Sequence, residues 1–126
     1  MKLRIARHTD NLDKIKSFYC DILGLKIIGS FENHDGYDGV FIGRPNESWH
    51  LEFTSSEAKA THQTDEDDLI VLYPETRSEY DNLIQKLASS KIEFISAKNP
   101  YWNSFGKMIL DPDGFRIVIS NQKATS

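Results

Sequence analysis

The chain contains 126 residues, of which 39% are hydrophobic and 27% are charged, and its net charge is -4. This length and composition are typical of one globular domain whose core needs no disulfide or structural metal. The acidic balance excludes the basic face that a nucleic-acid backbone requires, so we expect no nucleic-acid partner.

Neither a signal peptide nor a membrane span is predicted. The N-terminal residues lack the apolar run of a signal peptide, and no segment reaches the length of a membrane span. Cys20 is the single cysteine, so it has no partner for an internal disulfide, and on a helix it is more often a packing residue than a nucleophile. We therefore expect a reduced, cytoplasmic location and no membrane partner.

The first half of the chain predicts the order strand, helix, strand, strand, strand. The first strand covers residues 2–8, and the helix begins at an N-cap, Thr9 or Asp10, and ends near Gly24. Its apolar residues recur at intervals of three and four, which is typical of an amphipathic helix: Leu12, Ile15, Phe18, Tyr19, Ile22 and Leu25. Three further strands follow, at residues 26–32, 39–43 and 49–54.

The second half repeats this order after a polar, acidic stretch without periodicity. A strand at 68–73 precedes a helix that is opened by the capping box Thr76-x-x-Glu79. A loop at 99–103 leads into the last hairpin, whose turn is Asp111-Pro112-Asp113-Gly114. Three strands complete the copy, at residues 92–97, 107–110 and 115–120.

Three segments, taken together with the duplication, resemble the vicinal oxygen chelate superfamily. This group includes glyoxalase I, bleomycin-resistance and fosfomycin-resistance proteins, and extradiol dioxygenases. The segments are Phe18-Tyr19-x-x-x-Leu23-Gly24-Leu25, His50-Leu51-Glu52-Phe53 and Asp111-Pro112-Asp113-Gly114-Phe115-Arg116. They extend the likeness over most of the chain, but the fold hosts lyases, isomerases, dioxygenases and pure binders, so the activity stays open.

The resemblance implies an α+β fold in which two βαβββ modules form an open, barrel-like mixed sheet with the helices outside. We expect a single domain over residues 1–126, with module one at 2–55, a linker at 56–67 and module two at 68–121. It also implies a small-molecule ligand in the cleft and, as the usual assembly, a homodimer.

The resemblance further implies where a divalent metal would bind, because its ligands lie on the first and last strand of each module. Matched by register, these positions are Arg4, Glu52, Asp68 and Val118. Metalloenzymes of the group carry His, Gln or Glu there, whereas an arginine stays protonated and a valine has no donor atom. Because a catalytic metal usually has three protein ligands, we expect Arg4 to pair with a carboxylate and no metal cofactor to bind.

His50 is the residue that favours metal or acid–base chemistry instead. Alternation along a strand puts His50 and Glu52 on one face, where they could act as a catalytic base and its orienting acid, or bind a metal with His8. A match of two residues is common by chance, so a hydrogen-bonded residue in the wall of the site is the simpler interpretation.

Four other residues are candidates for ligand binding besides Arg4 and Asp68. Strict alternation puts His8 in the cleft and Arg7 toward the helix, but a bulge near Ala6 would exchange them, so one of the two is expected to line the cleft. Tyr101 and Trp102 are adjacent aromatic residues in a polar loop. They could form an apolar lid over a flat ligand, or plug the barrel or a dimer interface.

Three functions follow from these residues. The favoured one is a protein that binds a small anionic or aromatic molecule without the usual metal. The alternative is a divalent-metal-dependent lyase or dioxygenase that uses His50 and Glu52. A third is an interaction protein whose cleft is vestigial.

Overall fold

The structure is a computed structural model that describes residues 1–123. It contains two compact units, Met1–His62 and a second that begins at Gln63. Among the described residues, no helix is both long enough and apolar enough to cross a membrane.

The first unit contains a four-stranded sheet with the strand order β1-β4-β3-β2. Its strands are β1 (Leu3–His8), β2 (Lys26–His34), β3 (Tyr37–Gly43) and β4 (Trp49–Ser55). Strand β1 runs parallel to β4, and the other neighbours are antiparallel. A parallel pair needs a crossover connection, and the predicted order of strand, helix and three strands supplies it.

One helix lies between β1 and β2, and it begins later than predicted. Helix α1 (Leu12–Lys16) continues as a π-helical segment, Ser17–Ile22. The side chain of Asn11 accepts a hydrogen bond from the backbone of Lys14 and is the N-cap, so the predicted caps at Thr9 and Asp10 were wrong. Thr9 is buried and accepts from the backbone of Asn11 at 3.3 Å, which leaves the capping position to Asn11.

The apolar side of this helix covers one face of the sheet. Ile15 and Tyr19 are fully buried, together with Val40 and Ile42 of β3 and Phe53 of β4. The rings of Tyr19 and Phe53 lie 4.9 Å apart. Because side chains alternate along a strand, residues next to these in β3 and β4 point to the opposite face.

The second unit, over residues 63–123, contains a three-stranded sheet with the order β5-β7-β6. Its strands are β5 (Leu69–Leu72), β6 (Gly106–Leu110) and β7 (Arg116–Ser120), and β5 runs parallel to β7. Helix α2 (Arg77–Ser89) begins at the predicted cap, since Thr76 accepts from the backbone of Glu79 at 3.0 Å. The turn before β7 is also as predicted, with Gly114 at a φ of 87°.

Two predictions for the second unit were wrong. The strand at 92–97 is reduced to one bridge between Ile95 and Met108, because the side-chain amide of Asn103 bonds both the N–H and the C=O of Ala97. The loop at 99–103 is instead helix α3 (Pro100–Phe105). Asn99 caps this helix and proline occupies its first turn, a combination that favours helix initiation.

The two modules therefore have the predicted α+β architecture with mixed sheets, complete in the first unit and one strand shorter in the second.

Candidate functional site

The candidate site lies on the face of the first sheet opposite its helix. In the strand register, Arg4 of β1 is the partner of His50 of β4, and Phe41 of β3 is the partner of Glu52 of β4. Partners in a sheet point to the same face. Strand β1 and the consecutive strands β3 and β4 therefore bring a guanidinium, an imidazole, a carboxylate and a phenyl ring together.

The arginine of this group is held on three sides. Arg4 donates a hydrogen bond from Nε to Nε2 of His50 at 2.9 Å. Its guanidinium carbon lies 4.5 Å from the ring centroid of Phe41, and its Nη1 lies 3.8 Å from Oε1 of Glu52. The side chain of Arg4 nevertheless stays 50% exposed, whereas that of Glu52 is only 14% exposed. The carboxylate is therefore largely covered, and the cation forms the accessible part of the group.

The hydrogen bond from Arg4 decides which nitrogen of His50 carries the ring proton. A guanidinium can only donate, so Nε2 of His50 is the acceptor and the proton lies on Nδ1. The lone pair that a metal or a substrate proton would need at Nε2 is thus already bound to Arg4. The ring of His50 also meets Phe41 edge to face, with centroids 5.8 Å apart.

Three glycines give this face its aromatic surface. A Cβ at Gly29 would lie 2.9 Å from the ring of Phe41, and one at Gly43 would lie 3.1 Å from Cβ of His50. A Cβ at Gly39 would overlap the ring of Phe31. The missing side chains let Phe31 and Phe41 lie across the neighbouring strands. We call this pair of rings, with centroids 5.9 Å apart, the aromatic floor.

His8 lies on the same face as Arg4, but its ring nitrogens hold backbone and side chains in place. Nε2 donates to the carbonyl of Ala58 at 3.1 Å, and Nδ1 lies 2.9 Å from the hydroxyl of Thr54. Strand β1 pairs without a bulge, so Arg7 lies on the helix side, with its guanidinium 5.1 Å from the ring centroid of Phe53. Of the two candidates, His8 is therefore the one on the face of Arg4.

The two metal positions expected in the second unit differ, because Val118 has no donor atom whereas Asp68 has a carboxylate. Val118 is fully buried in an apolar cluster with Met108 and Ala97. The register pairs Val118 with Val71, so Val71 shares the face of Val118. Asp68 is exposed and precedes the strand.

Trp102 and Tyr101 are neighbours in helix α3 and differ in exposure. Trp102 packs against the apolar cluster around Val118. Tyr101 is 51% exposed, and its ring lies 4.8 Å from that of Phe105. The rings of Tyr101 and Trp102 meet edge to face, with centroids 4.9 Å apart, so the two residues form one aromatic contact with a half-buried and an exposed member.

Cys20 is a poor nucleophile in this setting. Burial raises the pKa of its thiol, and the neighbouring charge of Asp21 raises it further. Less thiolate is then present at neutral pH, and the thiolate is the reactive form. This agrees with a packing role.

The divalent metal implied by the resemblance does not fit these residues. In the described part of the chain, no three His, Cys, Asp or Glu residues are grouped so that they could hold a metal ion. In the first unit, His50 and Glu52 are both engaged by Arg4, so a cation would have to displace a guanidinium.

Sequence reasoning missed the aromatic floor. Gly39-Val40-Phe41-Ile42-Gly43 alternates small and aromatic residues on one face of β3, and that alternation was the available signal. The partner of Phe41 across the floor, Phe31, follows Gly29 in the same alternating order on β2.

Comparisons with known proteins identify the family. The model of the YycE-like N-terminal domain matches residues 3–54, and that of the YycE-like C-terminal domain matches residues 67–121. The chain is 43% identical over 126 residues to the uncharacterized protein YycE of Bacillus subtilis (strain 168). The alignment covers 99% of this chain and 91% of that protein.

Solved structures agree with this assignment. The crystal structure of the YycE protein of unknown function from Bacillus subtilis superposes with a TM-score of 0.89 at 43% identity, over 99% of this chain and 92% of that one. The trypanothione-dependent glyoxalase I of Leishmania major gives a TM-score of 0.74 at 21% identity, over 96% of this chain and 86% of that one. The fosfomycin resistance protein FosX from Mesorhizobium loti gives a TM-score of 0.70 at 7% identity, over 98% of this chain and 92% of that one. The last two similarities concern the fold alone. The chain therefore belongs to the YycE-like family, whose fold is that of the glyoxalase, bleomycin-resistance and fosfomycin-resistance proteins of the vicinal oxygen chelate superfamily.

Proposed function

We propose that the protein binds a small anionic or aromatic molecule on the Arg4 face of its first sheet, without a divalent metal. The observation that carries the proposal is the half-exposed guanidinium of Arg4, held by His50, Glu52 and Phe41. A fixed cation with an accessible side supplies the positive charge that a metal ion supplies in metalloenzymes.

The donors that remain on Arg4 support an anionic ligand. The guanidinium has five N–H groups, and Nε donates to His50. Nη1 is 3.8 Å from the carboxylate of Glu52, which is beyond hydrogen-bonding distance. Within residues 1–123, no acceptor takes a hydrogen bond from Nη1 or Nη2 of Arg4. These groups are available to a carboxylate, which forms short, charge-assisted bonds with a guanidinium.

The same geometry disfavours the metal-dependent lyase or dioxygenase. Coordination by His50 requires a lone pair on its ring, and Arg4 already occupies the one at Nε2. Replacing this hydrogen bond by a metal would leave two cations side by side at the covered carboxylate of Glu52. A vestigial site filled by its own side chains is also disfavoured, since such filling would cover Arg4.

Calorimetric titration with benzoate tests the proposal, because benzoate is both anionic and aromatic. Protein treated with EDTA and dialysed should bind benzoate, and equimolar Zn²⁺ or Mn²⁺ should leave the dissociation constant unchanged. Binding that appears only after a metal is added would support the metal-dependent alternative instead. Absence of benzoate binding in both conditions would also contradict the proposal.

A further inference from the structure

We infer that the ligand is a flat aromatic carboxylate whose acid group binds Arg4 and whose ring packs on the aromatic floor of Phe31 and Phe41. This inference rests on the proposed function and makes it more specific. It requires the charge and the ring to belong to one molecule.

The acid group is inferred from the type and surroundings of the cation. A planar guanidinium matches a planar carboxylate along one edge, whereas a lysine would present only a point charge. Glu52 lies 3.8 Å from the same guanidinium and repels any anion that approaches it. The attraction to Arg4 and the repulsion by Glu52 both scale with the charge of the ligand, so charge alone does not separate a dianion from a monoanion. The two Nη groups that remain on Arg4 match the two oxygens of a carboxylate in a planar pair, and this match is the reason for inferring a carboxylate.

The ring is inferred from the floor beside the cation. Phe31 and Phe41 are each only partly buried, although they lie flat enough across Gly39 and Gly29 to exclude a Cβ there. The guanidinium of Arg4 lies over the ring of Phe41, and the rings of Phe41 and Phe31 are neighbours whose planes are tilted by 46°. Aromatic rings gain from stacking on rings and on a guanidinium, and a saturated ring of similar size does not.

Four probes of similar size separate these features: benzoate, cyclohexanecarboxylate, benzamide and phenyl phosphate. Titrated into the metal-free full chain, benzoate should bind about tenfold more tightly than cyclohexanecarboxylate, the gain expected from one aromatic contact. Benzamide, which lacks the charge, and phenyl phosphate, which has a tetrahedral, doubly charged head group, should both bind more weakly than benzoate.

Variants connect the preference to the floor. Phe41→Leu should reduce the ratio of benzoate to cyclohexanecarboxylate affinity to near one. Phe94→Leu is the matched control, because Phe94 also lies beneath a cation, with Nζ of Lys107 5.9 Å from its ring centroid, but it belongs to the second unit. This control should keep the wild-type ratio.

The outcomes distinguish the inference from the proposed function. Equal binding of benzoate and cyclohexanecarboxylate to the wild-type protein would overturn the aromatic inference and leave the anion site standing. Equal binding of benzamide and benzoate, or tighter binding of phenyl phosphate than of benzoate, would overturn the inference that the acid group is a carboxylate. If none of the four probes binds, the proposed function fails and the inference fails with it. The wild-type ratio decides these cases even where Phe41→Leu does not fold.

Discussion

Arg4→Gln should weaken benzoate binding by about 10- to 100-fold, since hydrogen bonds to a charged group contribute roughly 1.5–3 kcal/mol. Glutamine keeps a polar side chain but is shorter, has no charge and presents no guanidinium edge. Only modest destabilisation should accompany the change, because the side chain is half exposed and its ion pair with Glu52 is long. Calorimetry gives the affinity, and thermal denaturation checks the fold.

The second unit contains a matched control for this change. Arg77 lies over the ring of Tyr80 at 5.1 Å and pairs with Asp81 at 3.0 Å, so it also combines an aromatic ring with a carboxylate. Arg77→Gln should leave benzoate binding at the wild-type level. Similar losses in both variants would show that overall charge matters and that Arg4 has no special role.

Phe53→Ala should reduce the free energy of unfolding by about 3–5 kcal/mol, the cost of removing a large aromatic side chain from a core. The side chain of Phe53 is 2% exposed, and it packs against Tyr19 beneath the guanidinium of Arg7. Since domains are typically stable by only about 5–15 kcal/mol, a large part of the stability would be lost. Denaturant titration followed by circular dichroism measures the change.

Phe41→Ala is the control for Phe53→Ala, because both residues belong to the same sheet but to opposite faces. Phe41 is only partly buried, so its removal should cost clearly less stability while impairing ligand binding. If the two variants were equally unstable, the Arg4 face would be a second core and no receptor surface.

The first half of the fold was predictable because local and periodic signals agree there. Apolar residues alternate along β3 and β4, which predicts one buried sheet face for the apolar stripe of the helix to cover. The residues between them are then predicted to lie on the opposite face. The N-cap was wrong because Thr9, Asp10 and Asn11 are all good capping residues. Only the tertiary structure shows that Thr9 is buried and that Asp10 accepts from the backbone of Ala60 at 2.7 Å.

The second half departed from prediction at one segment, where a side chain makes the backbone hydrogen bonds that a neighbouring strand would otherwise make. Segment 92–97 has the composition of a strand, but Asn103 satisfies the backbone of Ala97 from helix α3. The same helix brings Trp102 onto the cluster around Val118. Composition within a window cannot reveal a bond made from outside that window.

The candidate site was predictable in part. Alternation put His50 and Glu52 on one face and the family resemblance set Arg4 opposite Glu52, and the structure has both residues in contact with Arg4. It did not reveal that Arg4 reaches across β4 to Phe41 on β3, because that contact depends on the rotamer of a long side chain and on the space above Gly29. The binding and catalytic roles of these residues stay predictions.

The benzoate affinity of Glu52→Gln in metal-free buffer tests the central claim most directly, because the two functions predict opposite signs. If Arg4 is the receptor, Glu52 competes with the ligand for the guanidinium, and removing its charge should tighten binding several-fold. His50 and Phe41 still hold Arg4 in this variant. Weaker binding in Glu52→Gln, or binding by either protein only after a divalent metal is added, would contradict the claim that Arg4 takes the place of the metal.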